Sequence, residues 1–245
     1  MQFKRKKMMN MPKNYLFDLD GTLLPLDEEA FIKKYFGLLG NKFAELGLNP
    51  ETMIKRLWLG TKTMIENTGQ NTNEDVFWEV FYPENSDHET LKKALEQFYQ
   101  NEFDDVKSTT RPSEASKKII EILKNRGKTI VLATNPIFPL VATKKRIKWA
   151  KLDRNDFLYI TTYENSNFAK PSLSYYEMII KRLNLDPDET IMIGNDAIED
   201  MVPKRLGIRT FLVTDCLNNK NNIDINQFEH GTLQELLEKI EKDLI

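Results

Sequence analysis

The spacing of hydrophobic residues changes twice along the chain. Near the start, the short apolar run Tyr15 to Phe17 ends abruptly in acidic residues, which is typical of a buried strand. From Pro25 to about Thr110, apolar residues recur at helical spacing and no strand-like alternation is evident. After Ser113, helical stretches alternate with short apolar runs. The pattern therefore predicts a helical region inserted between the first strand and a series of alternating helices and strands.

The inserted region is predicted to contain four or five helices. Apolar residues follow helical spacing over residues 28–48, 53–64, 74–82 and 89–103. Its conspicuous aromatic residues are Trp58, Trp78 and Tyr82. Packing among the helices is favoured for them over contact with a substrate, because aromatic side chains dominate buried cores.

The second half of the chain predicts an α/β fold. Helices are expected at residues 113–125, 139–150, 173–183, 199–206 and 232–245, and strands at 129–133, 157–161, 190–193 and 209–213. Strands separated by helices pair in parallel through right-handed crossovers, which gives a doubly wound parallel sheet. In such a sheet, ligands bind beyond the carboxyl ends of the strands.

Polar residues follow the first predicted strand at that edge. Asp18 and Asp20 are separated by one residue, and Gly21 and Thr22 complete a turn. Two carboxylates this close repel each other unless a cation lies between them, so the stretch predicts a hard divalent ion such as magnesium. A solvated turn is the alternative, because Asp-Gly pairs are common in turns.

Two further polar stretches are candidates for binding phosphate. Thr134 and Asn135 follow the second predicted strand, where a hydroxyl and a backbone N–H can hold phosphate oxygens, although a helix cap explains them equally well. Lys170 precedes Pro171 at the start of a predicted helix. Its ammonium group would offset the charge of a phosphate, although most lysines are simply solvated.

A fourth stretch carries two acids after an apolar strand that ends in Gly194. Asp196 and Asp200 are four residues apart, which places both on one side of a helical turn. The alternative is that they are acids at a helix N-terminus, where the helix dipole favours them.

In this order, the four stretches resemble the motifs of the haloacid dehalogenase (HAD) superfamily. Asp18-Leu19-Asp20-Gly21-Thr22-Leu23 is similar to the first motif, and the stretches at Thr134, Lys170 and residues 191–200 are similar to the other three. The resemblance implies a HAD-like Rossmannoid core of residues 1–24 and 109–245 with strand order 5-4-1-2-3. It also implies an all-helical cap of residues 25–108 inserted into that core.

The resemblance also implies a catalytic and metal-binding set. Asp18 would be the nucleophile that takes up a phosphoryl group, and Asp20 the general acid and base. Asp18, the backbone carbonyl of Asp20 and Asp196 would bind Mg²⁺. In the commonest form of the fourth motif an Asp follows the Gly directly, whereas here Asn195 intervenes. Asp196 is preferred over Asn195 as the ligand, because a carboxylate binds magnesium better than an amide does.

The remaining motif residues have implied roles at the phosphoryl group. Thr134 and the backbone amide of Asn135 would bind it, and Lys170 would offset its charge. Asp200 would position Lys170 or a metal-bound water. The implied activity is magnesium-dependent hydrolysis of a small phosphorylated metabolite through an aspartyl-phosphate. A sugar phosphomutase and a non-catalytic ligand-sensing module are the alternatives, whereas members that displace halide lack an acid at the position of Asp20.

Composition narrows the class of protein further. The 245 residues carry a net charge of −2 with acids and bases interspersed, so no basic face indicates nucleic-acid binding. No apolar run approaches the roughly 20 residues needed to cross a bilayer. Cys216 is the only cysteine, which excludes an internal disulfide and suits a cytoplasmic location. Residues 1–12 predict a solvated tail, because no apolar segment follows their basic residues.

Overall fold

The centre of the protein is a parallel six-stranded sheet. A computed structural model describes residues 11–82 and 88–245, so residues 1–10 of the predicted tail lie outside it. The strands are β1 (Asn14–Phe17), β2 (Thr129–Leu132), β3 (Tyr159–Ile160), β4 (Thr190–Gly194), β5 (Arg209–Val213) and β6 (Glu229–Gly231). Their order is β3-β2-β1-β4-β5-β6, and every neighbouring pair is parallel. The predicted doubly wound α/β class is confirmed, and the first five strands follow the order that the resemblance implies.

Eight α-helices surround or extend from this sheet in the described residues. They are α1 (Glu28–Glu45), α2 (Pro50–Ile65), α3 (Asn73–Phe81), α4 (His88–Gln100), α5 (Glu114–Asn125), α6 (Leu140–Trp149), α7 (Leu173–Leu183) and α8 (Leu233–Glu241), with a 3₁₀-helix at Glu102–Thr109. None of the helices in the described ranges is long and apolar enough to cross a membrane. Helices α1 to α4 and the 3₁₀-helix fill the predicted helical region, while its exact domain limits stay a prediction.

Strand β1 lies in the middle of the sheet and is buried on both faces. Tyr15 and Phe17 pack into the main core cluster, whereas Leu16 points the other way and packs with Tyr175 and Tyr176. A strand covered on both faces is expected to be continuously apolar, as β1 is. The next residue, Asp18, is therefore the first polar group at the carboxyl edge of the central strand.

Aromatic packing holds the helical region together and fixes it to the core. The Tyr35 ring centroid lies 5.7 Å from that of Phe103, and the hydroxyl oxygens of Tyr35 and Tyr99 are 2.6 Å apart. Phe103 in turn contacts Trp149 of α6 at a centroid distance of 4.9 Å. Edge-to-face and offset contacts of this kind stabilise a core beyond the burial of area alone.

The helix predicted at residues 199–206, with an interruption or restart near Pro203, is not an α-helix in the structure. Residues 197–201 form turns, and only a 3₁₀-helix at Val202–Leu206 follows. The carboxylate of Asp196 accepts hydrogen bonds from the backbone N–H groups of Ile198 and Glu199, and Pro203 has no N–H to donate. These side-chain bonds replace the first turn of an α-helix.

Two strands also depart from the prediction. The third is confined to Tyr159–Ile160, within the predicted range 157–161. The edge strand β6 was not predicted, because Glu229 and His230 are polar and exposed and show no apolar run. Edge strands of this kind carry no hydrophobic signal.

Candidate active site

The site is assembled where β1, β2 and β4 end side by side. The Asp18 N–H donates to the Ile193 carbonyl at 2.9 Å, and the Ala133 N–H donates to the Phe17 carbonyl at 2.7 Å. This parallel register brings the residues after each strand, including Thr134 and Asn195, to the same edge as Asp18. Three of the four predicted motifs therefore meet here because of the strand order.

The third motif contributes a buried lysine that joins two acids. Lys170 Nζ lies 2.8 Å from Asp18 Oδ1 and 2.6 Å from Asp200 Oδ1, and the lysine side chain is 1% exposed. Burial alone would lower the pKa of Lys170, but the charges of Asp18 and Asp200 outweigh it and raise that pKa well above its ordinary value. Lys170 therefore stays protonated between two carboxylates, as a group that offsets phosphate charge requires.

Gly194 makes room for this arrangement. A Cβ atom at this position would lie 2.1 Å from Cγ of Asp200, which is closer than any real contact. The other Asp200 oxygen accepts the Asp196 N–H at 3.0 Å, so the carboxylate is fixed at both ends. The glycine that ends β4 is thus a steric requirement for the contact between Asp200 and Lys170.

The structure assigns the inserted Asn195 a structural contact. Its Oδ1 accepts the Thr22 hydroxyl at 3.0 Å, and its Nδ2 donates to the Cys216 carbonyl at 2.7 Å. The amide lies against Gly21, where a Cβ would be 2.3 Å from Nδ2. The Asn195 amide therefore joins two loops, and the preference for Asp196 as the magnesium ligand of the fourth motif stays a prediction.

The donor set at the edge consists of oxygens, which suits a hard cation. Among the described residues, no three His, Cys, Asp or Glu side chains form a ready metal-binding cluster. The ligand set that the resemblance implies, the carboxylates of Asp18 and Asp196 with the backbone carbonyl of Asp20, needs only two side chains and stays a prediction. Burial raises the pKa values of Asp18, Asp20 and Asp196, and a divalent ion bound beside these acids would favour their ionised forms.

The side chain of Asp20 is held by an arginine that the sequence did not reveal. The buried Arg146 of α6 forms an ion pair with Asp20 Oδ2, donates to the Thr143 hydroxyl at 3.2 Å and lies over the Phe138 ring at 4.3 Å. Burial raises the pKa of Asp20, and the Arg146 charge opposes that rise. Arg146 stands in a run of basic residues at 144–148, so only its burial distinguishes it.

Thr134 lies at the end of β2 in a fixed loop. Its carbonyl accepts hydroxyl bonds from Thr161 at 2.7 Å and Tyr175 at 2.9 Å, and its own side chain is buried at the cavity wall. Fixed donors of this kind can stabilise charge without reorganising during a reaction. The predicted binding of phosphate by Thr134 stays a prediction.

Asn135 and Glu199 form a second contact that links the motifs. Asn135 Nδ2 donates to Glu199 Oε2 at 3.1 Å, and Asn135 Oδ1 accepts the Lys170 N–H at 3.3 Å. Burial raises the pKa of Glu199 to about 7. No pattern in the sequence distinguishes Glu199, because a solvated turn explains an acid in this stretch equally well.

A cavity of about 970 Å³ opens over this edge. Its floor includes the acids Asp18, Asp20, Asp196 and Asp200, and its other walls come from α1 to α4 and the start of α6. The arrangement therefore places the Asp18 carboxylate, a second acid two residues away and the buried Lys170 ammonium beside a space large enough for a small molecule.

The fold and the site define a hydrolase with an α/β core. A model of the haloacid dehalogenase-like hydrolases matches residues 12–202. The chain therefore belongs to the haloacid dehalogenase-like hydrolase family. A search of curated proteins found no match.

Solved structures share the fold at low sequence identity. A HAD phosphatase from Thermococcus onnurineus is similar with a TM-score of 0.59 and 20% identity, over 95% of this chain and 100% of the other. A putative phosphatase from Clostridium difficile gives 0.54 and 21%, over 96% and 100%. A dehalogenase solved with an intermediate complex gives 0.55 and 18%, over 93% and 96%. At this identity the similarity shows the fold and not the substrate.

Proposed function

We propose that the protein is a magnesium-dependent phosphatase that hydrolyses the phosphomonoester of a small metabolite through an aspartyl-phosphate. The observation that carries this proposal is the contact of buried Lys170 with Asp18, with Asp20 two residues further at the floor of the same cavity. A carboxylate nucleophile, an acid for the leaving oxygen and a cation for the phosphoryl charge are the parts that two-step ester hydrolysis needs.

In the first step, a carboxylate oxygen of Asp18 attacks phosphorus in line with the ester oxygen. As the P–O bond breaks, Asp20 donates a proton to the leaving alkoxide. Lys170 and Thr134 stabilise the charge on the transferring group. When bound to Asp18, Asp196 and the Asp20 carbonyl, magnesium would add positive charge against the phosphate oxygens.

In the second step, Asp20 takes a proton from water, and the water attacks the phosphoryl group on Asp18 to release phosphate and restore the carboxylate. Burial favours the neutral form of Asp20 that the first step needs, and Arg146 favours the ionised form that the second step needs. These two opposing effects suit an acid that must both give and take a proton.

Dehalogenases also occur among the structural neighbours. Displacement of halide needs no proton donor, because halide leaves as a stable anion. The second acid, Asp20, and the buried arginine that holds it therefore support ester hydrolysis.

The test is phosphate release from a panel of metabolite phosphates with purified protein. Activity should require added magnesium, disappear with EDTA, and fall more than about thousand-fold in Asp18→Asn. Asp105→Asn, an exposed acid of the 3₁₀-helix, is the matched control and should retain activity. Full activity of Asp18→Asn would refute the assignment of the nucleophile. Conversion of a hexose 1-phosphate to its 6-phosphate without phosphate release would instead identify a mutase.

A further inference from the structure

The cavity over the catalytic acids is mainly apolar where it extends into the helical region. Apolar side chains line it from both sides, namely Leu26, Ile32, Phe36, Leu57, Phe77 and Phe138 among others. A site for a polyhydroxyl sugar would instead present paired donors and acceptors along its walls, because buried hydroxyl groups need partners. The shape and chemistry of this wall point to an apolar leaving group.

Trp58 supplies an open aromatic ring at this wall. It was predicted to pack in the helix core, yet it is 52% exposed, and its ring stacks on Phe36 at a centroid distance of 4.9 Å. Its neighbour Leu59 is exposed to a similar extent, 54%, but does not line the cavity. An exposed ring that is held by a second ring offers a preformed surface for a planar apolar group.

Charges on the cavity wall do not favour a second anionic group. Beyond the catalytic edge, the charged residues that line the cavity are Glu28, Glu74, Glu96, Glu164, Lys92, Lys144 and Lys220. Lys92 forms an ion pair with Glu74, and Lys220 Nζ lies 3.0 Å from a Glu28 oxygen. Acids outnumber lysines, and two of the three lysines are already paired. Of the three lysines, only Lys144 has no ion pair among the described residues, so a carboxylate or second phosphate on the substrate would meet one unpaired cation on a wall with four acids.

Glu164 strengthens this conclusion. Its Oε1 accepts the Leu140 N–H at 2.8 Å. Its Oε2 is buried and has no hydrogen-bond partner within residues 11–82 and 88–245. A buried carboxylate oxygen without a donor repels an anion and is satisfied by a neutral or cationic donor.

We propose that the substrate is the phosphate ester of an alcohol with an apolar body about the size of an aromatic ring and with no second anionic group. The phosphate lies at Asp18, and the apolar body packs between Phe36, Trp58 and Phe138. This inference rests on the proposed phosphatase function and specifies the leaving group for it.

Three esters with similar alkoxide leaving groups test the proposal: benzyl phosphate, glycerol 1-phosphate and phosphoglycolate. With wild-type protein and magnesium, kcat/KM for benzyl phosphate should exceed that of each of the other two by at least about tenfold, the discrimination that a few buried apolar groups provide. Equal or higher kcat/KM for glycerol 1-phosphate or phosphoglycolate would overturn the proposal.

A pair of adjacent variants locates the effect. Trp58→Ala should lower kcat/KM for benzyl phosphate by about tenfold and leave that for glycerol 1-phosphate unchanged. Leu59→Ala removes an equally exposed side chain from the same helix and should change neither. An equal loss on both esters in Trp58→Ala, or the same selective loss in Leu59→Ala, would contradict the assigned surface.

A binding measurement separates this inference from the proposed function. If no ester releases phosphate, the phosphatase function fails, and calorimetry with stable phosphonates then decides the class of ligand. Tighter binding of 2-phenylethylphosphonate than of 3,4-dihydroxybutylphosphonate, by about tenfold, supports the apolar subsite. Equal or weaker binding rejects it whether or not the protein is an active phosphatase.

Discussion

The sheet edge that carries the candidate active site and the core of the inserted helical region are both buried, but they are stabilised in different ways. At the edge, Lys170 and Asp200 are each 1% exposed and are held by ion pairs. In the helical region, rings such as Phe98 and Phe103 are fully buried and pack on one another at a centroid distance of 6.3 Å. At the edge, the buried side chains are charged and are held by ion pairs. In the helical region, the buried side chains are apolar and are held by packing.

This difference predicts different consequences of mutation. Removing one member of a buried ion pair leaves its partners charged without compensation, so stability and activity should fall together. Removing a buried ring leaves a cavity, which lowers stability but changes activity only if the ring lines the site. Variants in each region can test this separation.

The largest effect is expected from Lys170→Met. It leaves Asp18 and Asp200 buried together without their shared cation, which should lower the free energy of unfolding by about 3 to 5 kcal/mol and reduce kcat more than about thousand-fold. Urea titration and phosphate release measure the two effects. Lys148→Met, at an exposed site on α6, is the control and should stay within about 0.5 kcal/mol of wild type. Retained activity in Lys170→Met would mean that phosphoryl charge is offset elsewhere.

Phe98→Ala should separate stability from activity. The ring is fully buried against Tyr35, Tyr99 and Phe103 but does not line the cavity. Its loss should lower the free energy of unfolding by about 3 to 5 kcal/mol, while kcat/KM of the folded protein stays within a few fold of wild type. Leu158→Ala, at an exposed position, should have little effect on either. A large drop in kcat/KM at low temperature, where the variant is folded, would show that the aromatic cluster shapes the site directly.

The sequence predicted which polar residues gather at the carboxyl edge of the sheet, because the signals for them are local. Asp18, Thr134 and Asp196 each follow an apolar run, and parallel strands bring such positions together. The contacts of Arg146 and Glu199 at this edge were not predicted, because the spacing of hydrophobic residues does not show whether a charged residue on a helix or turn is buried. Their roles depend on which distant residue lies opposite, and only the folded structure shows that.

The sequence predicted the helices of the inserted region but not the cavity that they line. Helical spacing located α1 to α4 within a few residues, because amphipathic periodicity reports burial. The same periodicity could not show that the helices leave a cavity between them, or that Trp58 faces it rather than the core. Packing between elements is long-range information that spacing within an element does not contain.

Glu199→Gln should change how stability depends on pH. Burial raises the pKa of Glu199 from 4.5 to about 7, so the folded state holds a proton that the unfolded state has released. Below pH 4.5, Glu199 is protonated in both the folded and the unfolded state, so it costs no stability. As the pH rises from 4.5 to about 7, the free energy of unfolding falls, because only the unfolded state releases the proton. In metal-free protein, Glu199→Gln should match wild type at the acidic end of this range and exceed its stability by up to about 3 kcal/mol at the neutral end.

Thermal or urea unfolding across this pH range, with EDTA present, measures the difference. Glu66→Gln, an exposed residue at the end of α2, is the control and should follow the wild-type curve. A stability difference between Glu199→Gln and wild type that does not vary with pH would show that folding leaves the pKa of Glu199 unshifted.

The smallest effects are expected from substitutions of two glycines, one at the edge of the sheet and one in the helical region. A Cβ at Gly194 would lie 2.1 Å from Asp200 Cγ, whereas a Cβ at Gly37 in α1 meets no atom within 4 Å. Gly194→Ala should therefore destabilise the protein by about 1 to 3 kcal/mol and lower kcat, because Asp200 must move away from Lys170. Gly37→Ala should stabilise it by about 0.5 to 1 kcal/mol, since alanine favours a helix interior, and leave kcat unchanged. If both substitutions changed the free energy of unfolding in the same direction, the close approach of Asp200 to β4 would not be the constraint that places Asp200 beside Lys170.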